Sequence, residues 1–249
     1  MAQGRFGLRL ASNASLALGP LLLYQGRMVR RNTPQLPGAA GPSAGLVDAS
    51  GPPLHFLILG ESTVAGVGAA THADGLAGRT AEALAVQLGR AVRWRAEGRI
   101  GMTASSTRRI LVPNLPPEPV DVALLALGVN DSLKLRSPER WVADLRALVA
   151  ALRERVGPAR VFLAAVPPLA RFPALPQPLR AVLGLRARLL DAAAADLAPK
   201  LAAVVHLPIT IPVTPDQFCA DRFHPGPAGY ARWGELLGAG MAQRLQHDA

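Results

Sequence analysis

Leu54-His55-Phe56-Leu57-Ile58-Leu59-Gly60-Glu61-Ser62-Thr63-Val64-Ala65-Gly66 is a compact apolar run that ends in a glycine and gives way to small and polar residues. The run has the length of a buried strand, and the residues after Gly60 are too rich in glycine and small side chains to continue it. In an open α/β sheet the ligand crevice lies at the carboxyl ends of the strands, so Ser62 stands where a substrate can reach its hydroxyl. A serine in that position also serves as a helix cap or turn residue, and the segment has the look of a phosphate-cradling loop. The phosphate reading weakens because neither G-x-x-x-x-G-K-[ST] nor G-x-G-x-x-G is present there. Ser62 is a candidate nucleophile whose partners must lie elsewhere in the chain.

Outward from this segment, strand-like runs at 54–59, 91–96, 120–127, 160–166 and 202–207 alternate with helical patterns at 75–88, near 105–111, 138–156, 179–197 and 227–245. Continuous apolar strands separated by helices indicate a parallel sheet covered on both faces. The expected fold is α/β, a three-layer α/β/α doubly wound domain over residues 54–249 with a mostly parallel five-stranded sheet. Residues 1–53 differ. An apolar stretch at 11–24 is broken by Gly19-Pro20 and flanked by Arg5, Arg9, Arg27, Arg30 and Arg31. It is shorter than the roughly 20 residues that span a bilayer, and Gln25-Gly26-Arg27 is a poor signal-cleavage site. An interfacial helix or a helix packed on the domain fits better, with peripheral membrane contact through residues 8–31 as the partner surface it suggests. The prolines and glycines of 32–53 read as a linker.

At 249 residues, half apolar and 18% charged, the chain can bury a full core without staples. Its net charge of +10 raises the question of nucleic acid. Yet lysine occurs only at Lys134 and Lys200, the arginines are dispersed, and aromatics make up 4%, so no basic face interleaved with aromatic platforms emerges. The single cysteine, Cys219, forms no internal disulfide, which favours a reducing, cytoplasmic compartment.

Asp221-Arg222-Phe223-His224-Pro225 precedes the last helical pattern. An Asp three residues before a His can fold onto Nδ1 within one turn, fixing the tautomer and leaving Nε2 to face a nucleophile. Two strand-to-loop junctions supply groups suited to an oxyanion. Gly101, in Ile100-Gly101-Met102-Thr103, lets a backbone N–H approach a ligand closely. Asn130, in Gly128-Val129-Asn130-Asp131, offers an uncharged, directional amide donor. Each alone also reads as a turn glycine or helix cap. Together they fall where a doubly wound sheet gathers its loops into one crevice.

These four blocks, in this order, resemble those of the SGNH hydrolases, within the broader GDSL esterase and lipase group, and the resemblance covers residues 54–245. It implies a flavodoxin-like fold and ester hydrolysis through an acyl-enzyme. Ser62 would be the nucleophile, His224 the base and Asp221 its orienting acid, with an oxyanion hole from Ser62, Gly101 and Asn130. No metal or organic cofactor is implied. The first block departs from the family in carrying Glu61 where Asp is usual, and Gly98 competes with Gly101 as the oxyanion glycine, the Gly-x-Thr context favouring Gly101. An α/β-hydrolase is disfavoured because Val64 breaks the G-x-S-x-G elbow and because Asp221 and His224 share one segment.

The proline-rich stretch 167–176 comes after the fourth strand and is expected to overhang the site as an apolar rim, with Leu169, Arg171 and Phe172 as substrate-binding candidates and Arg99 or Arg171 available to an anionic head group. That rim favours an apolar acyl chain. Carbohydrate O-acetyl ester hydrolysis or acyl transfer through the same residues is the alternative, and a non-catalytic lipid- or membrane-binding protein is a third. Of the remaining histidines, only His72 is placed to approach the crevice; His55, His206 and His247 begin a strand, end a strand and lie in the tail.

Overall fold

The computed structural model describes residues 18–209 and 213–247. Its strands are β1 (Ala44–Val47), β2 (Leu54–Gly60), β3 (Val92–Gly98), β4 (Val122–Ala126), β5 (Arg160–Ala164) and β6 (Val204–Leu207). They form one sheet in the order β1-β3-β2-β4-β5-β6, parallel throughout except for the β1–β3 pair. Five longer helices accompany it: α1 (Gly19–Asn32), α2 (Leu76–Leu88), α3 (Pro138–Val156), α4 (Leu179–Leu197) and α5 (Pro227–His247).

Side chains alternate across a strand, so β2 feeds two cores. Leu57 and Leu59 join Trp141, Leu145 and Leu183 beneath α3 and α4, while Phe56 and Ile58 join Leu84, Tyr230 and Trp233 beneath α2 and α5. With both faces covered, every residue of β4 is buried. This is why the central strands read as unbroken apolar runs.

The chain leaves β2 toward β3 on one side and leaves β4 toward β5 on the other. The loops after these two adjacent strands therefore diverge, and a crevice opens between them at the carboxyl end of the sheet.

The expected linker is corrected in part. Residues 44–47 form β1, an antiparallel edge strand on β3 with Ala44 opposite Arg95 and Val47 opposite Val92. Gly45 permits the pairing, because a Cβ there would lie 2.7 Å from the Trp94 ring. Just upstream, the Ala39 N–H donates to Ala65 O at 2.9 Å and the Ala40 N–H to Ala70 O at 3.1 Å. The segment expected as a tether thus braces the turn that carries Ser62, and the sheet has six strands rather than five. Its small, proline-flanked residues hide the strand, whose pairing depends on the free edge of β3.

Candidate active site

β2 delivers Ser62. At Gly60 a Cβ would come within 2.3 Å of Ala126 O, so only glycine lets β2 and β4 close up at this point. The chain then coils tightly: the Val64 and Ala65 N–H groups donate to Glu61 O at 3.0 Å, and the Val67 N–H to Ser62 O at 3.0 Å. Tyr230 on α5 donates its hydroxyl to Val67 O at 2.6 Å and pins this turn from below.

The segment before α5 delivers the other two groups. Asp221 is buried; its Oδ1 accepts the Phe223 and His224 N–H groups, each at 2.9 Å, and its Oδ2 meets His224 Nδ1 at 2.6 Å. Burial pushes the Asp221 carboxyl up, but the hydrogen bonds from the His224 ring and the two amides outweigh it and hold the group below its ordinary range. His224 Nε2 lies 2.9 Å from Ser62 Oγ. Carboxylate, imidazole and hydroxyl form a continuous chain in which the imidazole can take a proton from the serine while its charge is balanced.

Asn130 and Glu61 are joined. The Glu61 carboxylate, buried, accepts the Val129 N–H at 3.0 Å, the Asn130 N–H at 2.9 Å and the Asn130 side-chain amide. That amide has two protons, of which one is fixed on Glu61. Burial raises the Glu61 carboxyl to about 7, against the lowering effect of the Asn130 and Val129 amides. The next carboxylate continues the linkage: Asp131, fully buried, accepts the Ala104 N–H at 3.1 Å, and burial raises it to about 6. Glu61 and Asp131 thereby tie together the loops that carry Ser62, Asn130 and Gly101.

Gly101 has φ +82°, a conformation suited to glycine, and open space around its α-carbon. Gly98 serves packing: a Cβ there would lie 2.4 Å from Ala65 N, against the Ser62 turn. Among the described residues, the Ser62 and Gly101 N–H groups donate to no protein acceptor.

Ser62 and His224 border a cavity of about 60 Å³ walled by Pro167, Pro168, Phe172, Phe218, Phe223 and Trp233. Phe172 sits at the centre of an aromatic trio, with ring centroids 5.4 Å from Phe218 and 5.2 Å from Phe223, both edge-on. Of the substrate-binding candidates, only Phe172 lines this cavity. Leu169 is fully buried in the core under α4, because the helical turn at 169–171 points it inward, and Arg171 is exposed at the surface. His72 and Arg99 lie outside the lining as well. Sequence reading missed Phe218 and Trp233; the signal available was that three of only six phenylalanines cluster at 172, 218 and 223. His206 contacts Asp191 at 2.9 Å, whose Oδ1 also accepts the Val166 N–H, so this pair braces the start of the proline rim. Among the described residues no group of three or more His, Cys, Asp or Glu converges as a metal site.

A sequence profile of the GDSL-like lipase/acylhydrolase family matches residues 58–232, which spans all of these loops. The chain belongs to this family. A GDSL-like esterase of Mycobacterium tuberculosis is 31% identical over 195 residues, and the match covers 74% of this chain and spans 60% of that protein's length. Solved structures share the fold at lower identity. A lipase from a goat rumen metagenome superposes with TM-score 0.57 at 19% identity over 75% of this chain and 97% of its own. Est24, a carbohydrate acetylesterase from Sinorhizobium meliloti, gives 0.51 at 19% over 79% and 100%. The same fold therefore occurs in both a lipase and a carbohydrate acetylesterase.

Proposed function

We propose that this GDSL-family protein is a serine esterase that hydrolyses carboxylic esters with a small apolar acyl group. The observation that supports it most directly is the 2.9 Å contact between Ser62 Oγ and His224 Nε2, with Asp221 behind the ring, at the floor of the apolar cavity.

Ser62 Oγ attacks the ester carbonyl as its proton passes to His224 Nε2, and Asp221 balances the imidazolium. The carbonyl oxygen gathers negative charge and is met by the Ser62 and Gly101 N–H groups and by the other Asn130 amide proton. His224 then protonates the departing alcohol as the carbon–oxygen bond breaks. A water, deprotonated by the same nitrogen, attacks the acyl-enzyme and releases the acid with Ser62 restored.

At about 60 Å³ the cavity is small for a ligand pocket, which favours a short acyl group. Its phenylalanine and proline walls supply few partners for sugar hydroxyls, which favours apolar esters over carbohydrate acetyl groups. On nitrophenyl esters of increasing length, kcat/KM is expected to be highest at two to four carbons, roughly, and to fall beyond. Ser62→Ala should abolish turnover and labelling by a fluorophosphonate; full-strength labelling of that variant would end the nucleophile assignment.

A further inference from the structure

We propose that α1 is a docking surface for anionic lipid bilayers and that it holds the mouth of the Ser62 cavity at the membrane surface. The helix rests on the domain by a narrow stripe. Leu22 and Val29 pack half-buried on the core, and between them Gln25 accepts the Leu179 N–H at 3.1 Å and donates to Gln177 O at 2.6 Å. No residue of α1 is buried.

The rest of the helix faces outward and is apolar and cationic. Leu21, Leu23, Tyr24 and Met28 are between 39% and 61% exposed. Together with Leu18 they make five of the eleven large apolar side chains exposed among the described residues, gathered in a segment of eleven. Soluble surfaces scatter such residues singly, and a cluster marks an interaction site. Arg27, Arg30 and Arg31 lie exposed on the same helix, and the first acidic residue of the whole sequence is Asp48. An apolar stripe with a tyrosine, flanked by arginines without a single carboxylate, complements an anionic headgroup layer with acyl chains beneath it. At fourteen residues the helix lies in the interface plane, and among the described residues no helix is long and apolar enough to cross a membrane.

The anchoring point gives the contact its consequence. Gln25 grips Gln177 and Leu179 at the end of the segment whose Pro167, Pro168 and Phe172 wall the cavity. Docking of α1 brings this rim to the lipid boundary, where an ester partitioned into the bilayer meets Ser62; this second part rests on the esterase reading.

Binding is measured by flotation of full-length Ser62→Ala protein with vesicles of phosphatidylcholine alone or mixed with phosphatidylglycerol, so that docking stands or falls apart from hydrolysis. The protein is expected to float with the anionic vesicles and to be released by high salt. Replacing Arg27, Arg30 and Arg31 together by Gln should weaken binding roughly 100-fold, at about 5-fold per cation. Tyr24→Glu should abolish it, with the melting temperature and the turnover of a soluble nitrophenyl ester unchanged. In the otherwise wild-type enzyme, Tyr24→Glu should cut hydrolysis of a long-chain alkyl acetate held in the anionic vesicles about tenfold or more. Equal affinity for both vesicle types, no binding to either, or a dimer in light scattering that Tyr24→Glu dissolves would overturn the proposal.

Discussion

Glu61 stands beside the nucleophile with its carboxylate on the Asn130 loop, and its burial ties two properties to one proton. Because burial raises this carboxyl from 4.5 to about 7, the folded chain holds the proton more tightly than the unfolded one. Its stabilising contribution is therefore full below 4.5, declines as pH rises to about 7, and is flat above. The clamp on Asn130 has the opposite dependence, since only the carboxylate accepts all three N–H groups. Activity should fall as pH drops through about 7 while stability rises. Glu61→Gln places an amide donor against donors; its kcat is expected to drop about tenfold, its KM to hold, and the acid limb of its pH–rate profile to carry one proton fewer than the wild type's. Asn130→Ala removes the proposed oxyanion donor, and kcat should fall by roughly 10² to 10³ in a folded protein. A loss under about tenfold would exclude that role. The Ser and Asn positions were legible in the sequence because each sits at a strand-to-loop junction, and the Asp-x-x-His pair because it comes just before the closing helix. The grip of Glu61 on Asn130 was not, since it joins residues 69 positions apart.

Between elements, the decisive contact is the end of β3 against the Ser62 turn. A methyl group at Gly98 would lie 2.4 Å from Ala65 N and 2.6 Å from Val64 C, both backbone atoms with little freedom to yield. Gly98→Ala should shift the turn that presents Ser62 and cost about 10²-fold in kcat, because misplacement by an ångström is enough to do so. A folded Gly98→Ala enzyme with wild-type kcat would show that the turn adapts. Sequence context weighed Gly98 only as the rival of Gly101 for the oxyanion and gave no sign of its packing against the turn, because the crowding at Gly98 comes from a loop 33 residues earlier.

Across the molecule, the amino-terminal region divides into two parts with different attachments. Residues 18–32 touch the domain through a few side chains of α1, whereas 38–47 pair with β3 and with the nucleophile turn. Removing residues 1–33 should lower unfolding free energy in urea by only about 1 kcal/mol. Removing 1–48 strips β1 and the Ala39 and Ala40 bridges; it should cost on the order of 2–4 kcal/mol, at about 0.5–1.5 kcal/mol per hydrogen bond, and reduce kcat. Equal stability of the two truncations would refute the bracing role of this segment.

By itself the sequence determined the alternation of buried strands and amphipathic helices, the parallel sheet, and the order of the Ser62, Gly101, Asn130 and Asp221–His224 blocks along it. These are local signals, since the period of apolar residues records how each element meets its own core. The edge strand β1, the phenylalanine walls, the carboxylate linkage through Glu61 and Asp131, and the outward face of α1 were decided only by the tertiary structure. Each depends on which remote segment supplies the other half of a contact, and no local periodicity encodes that.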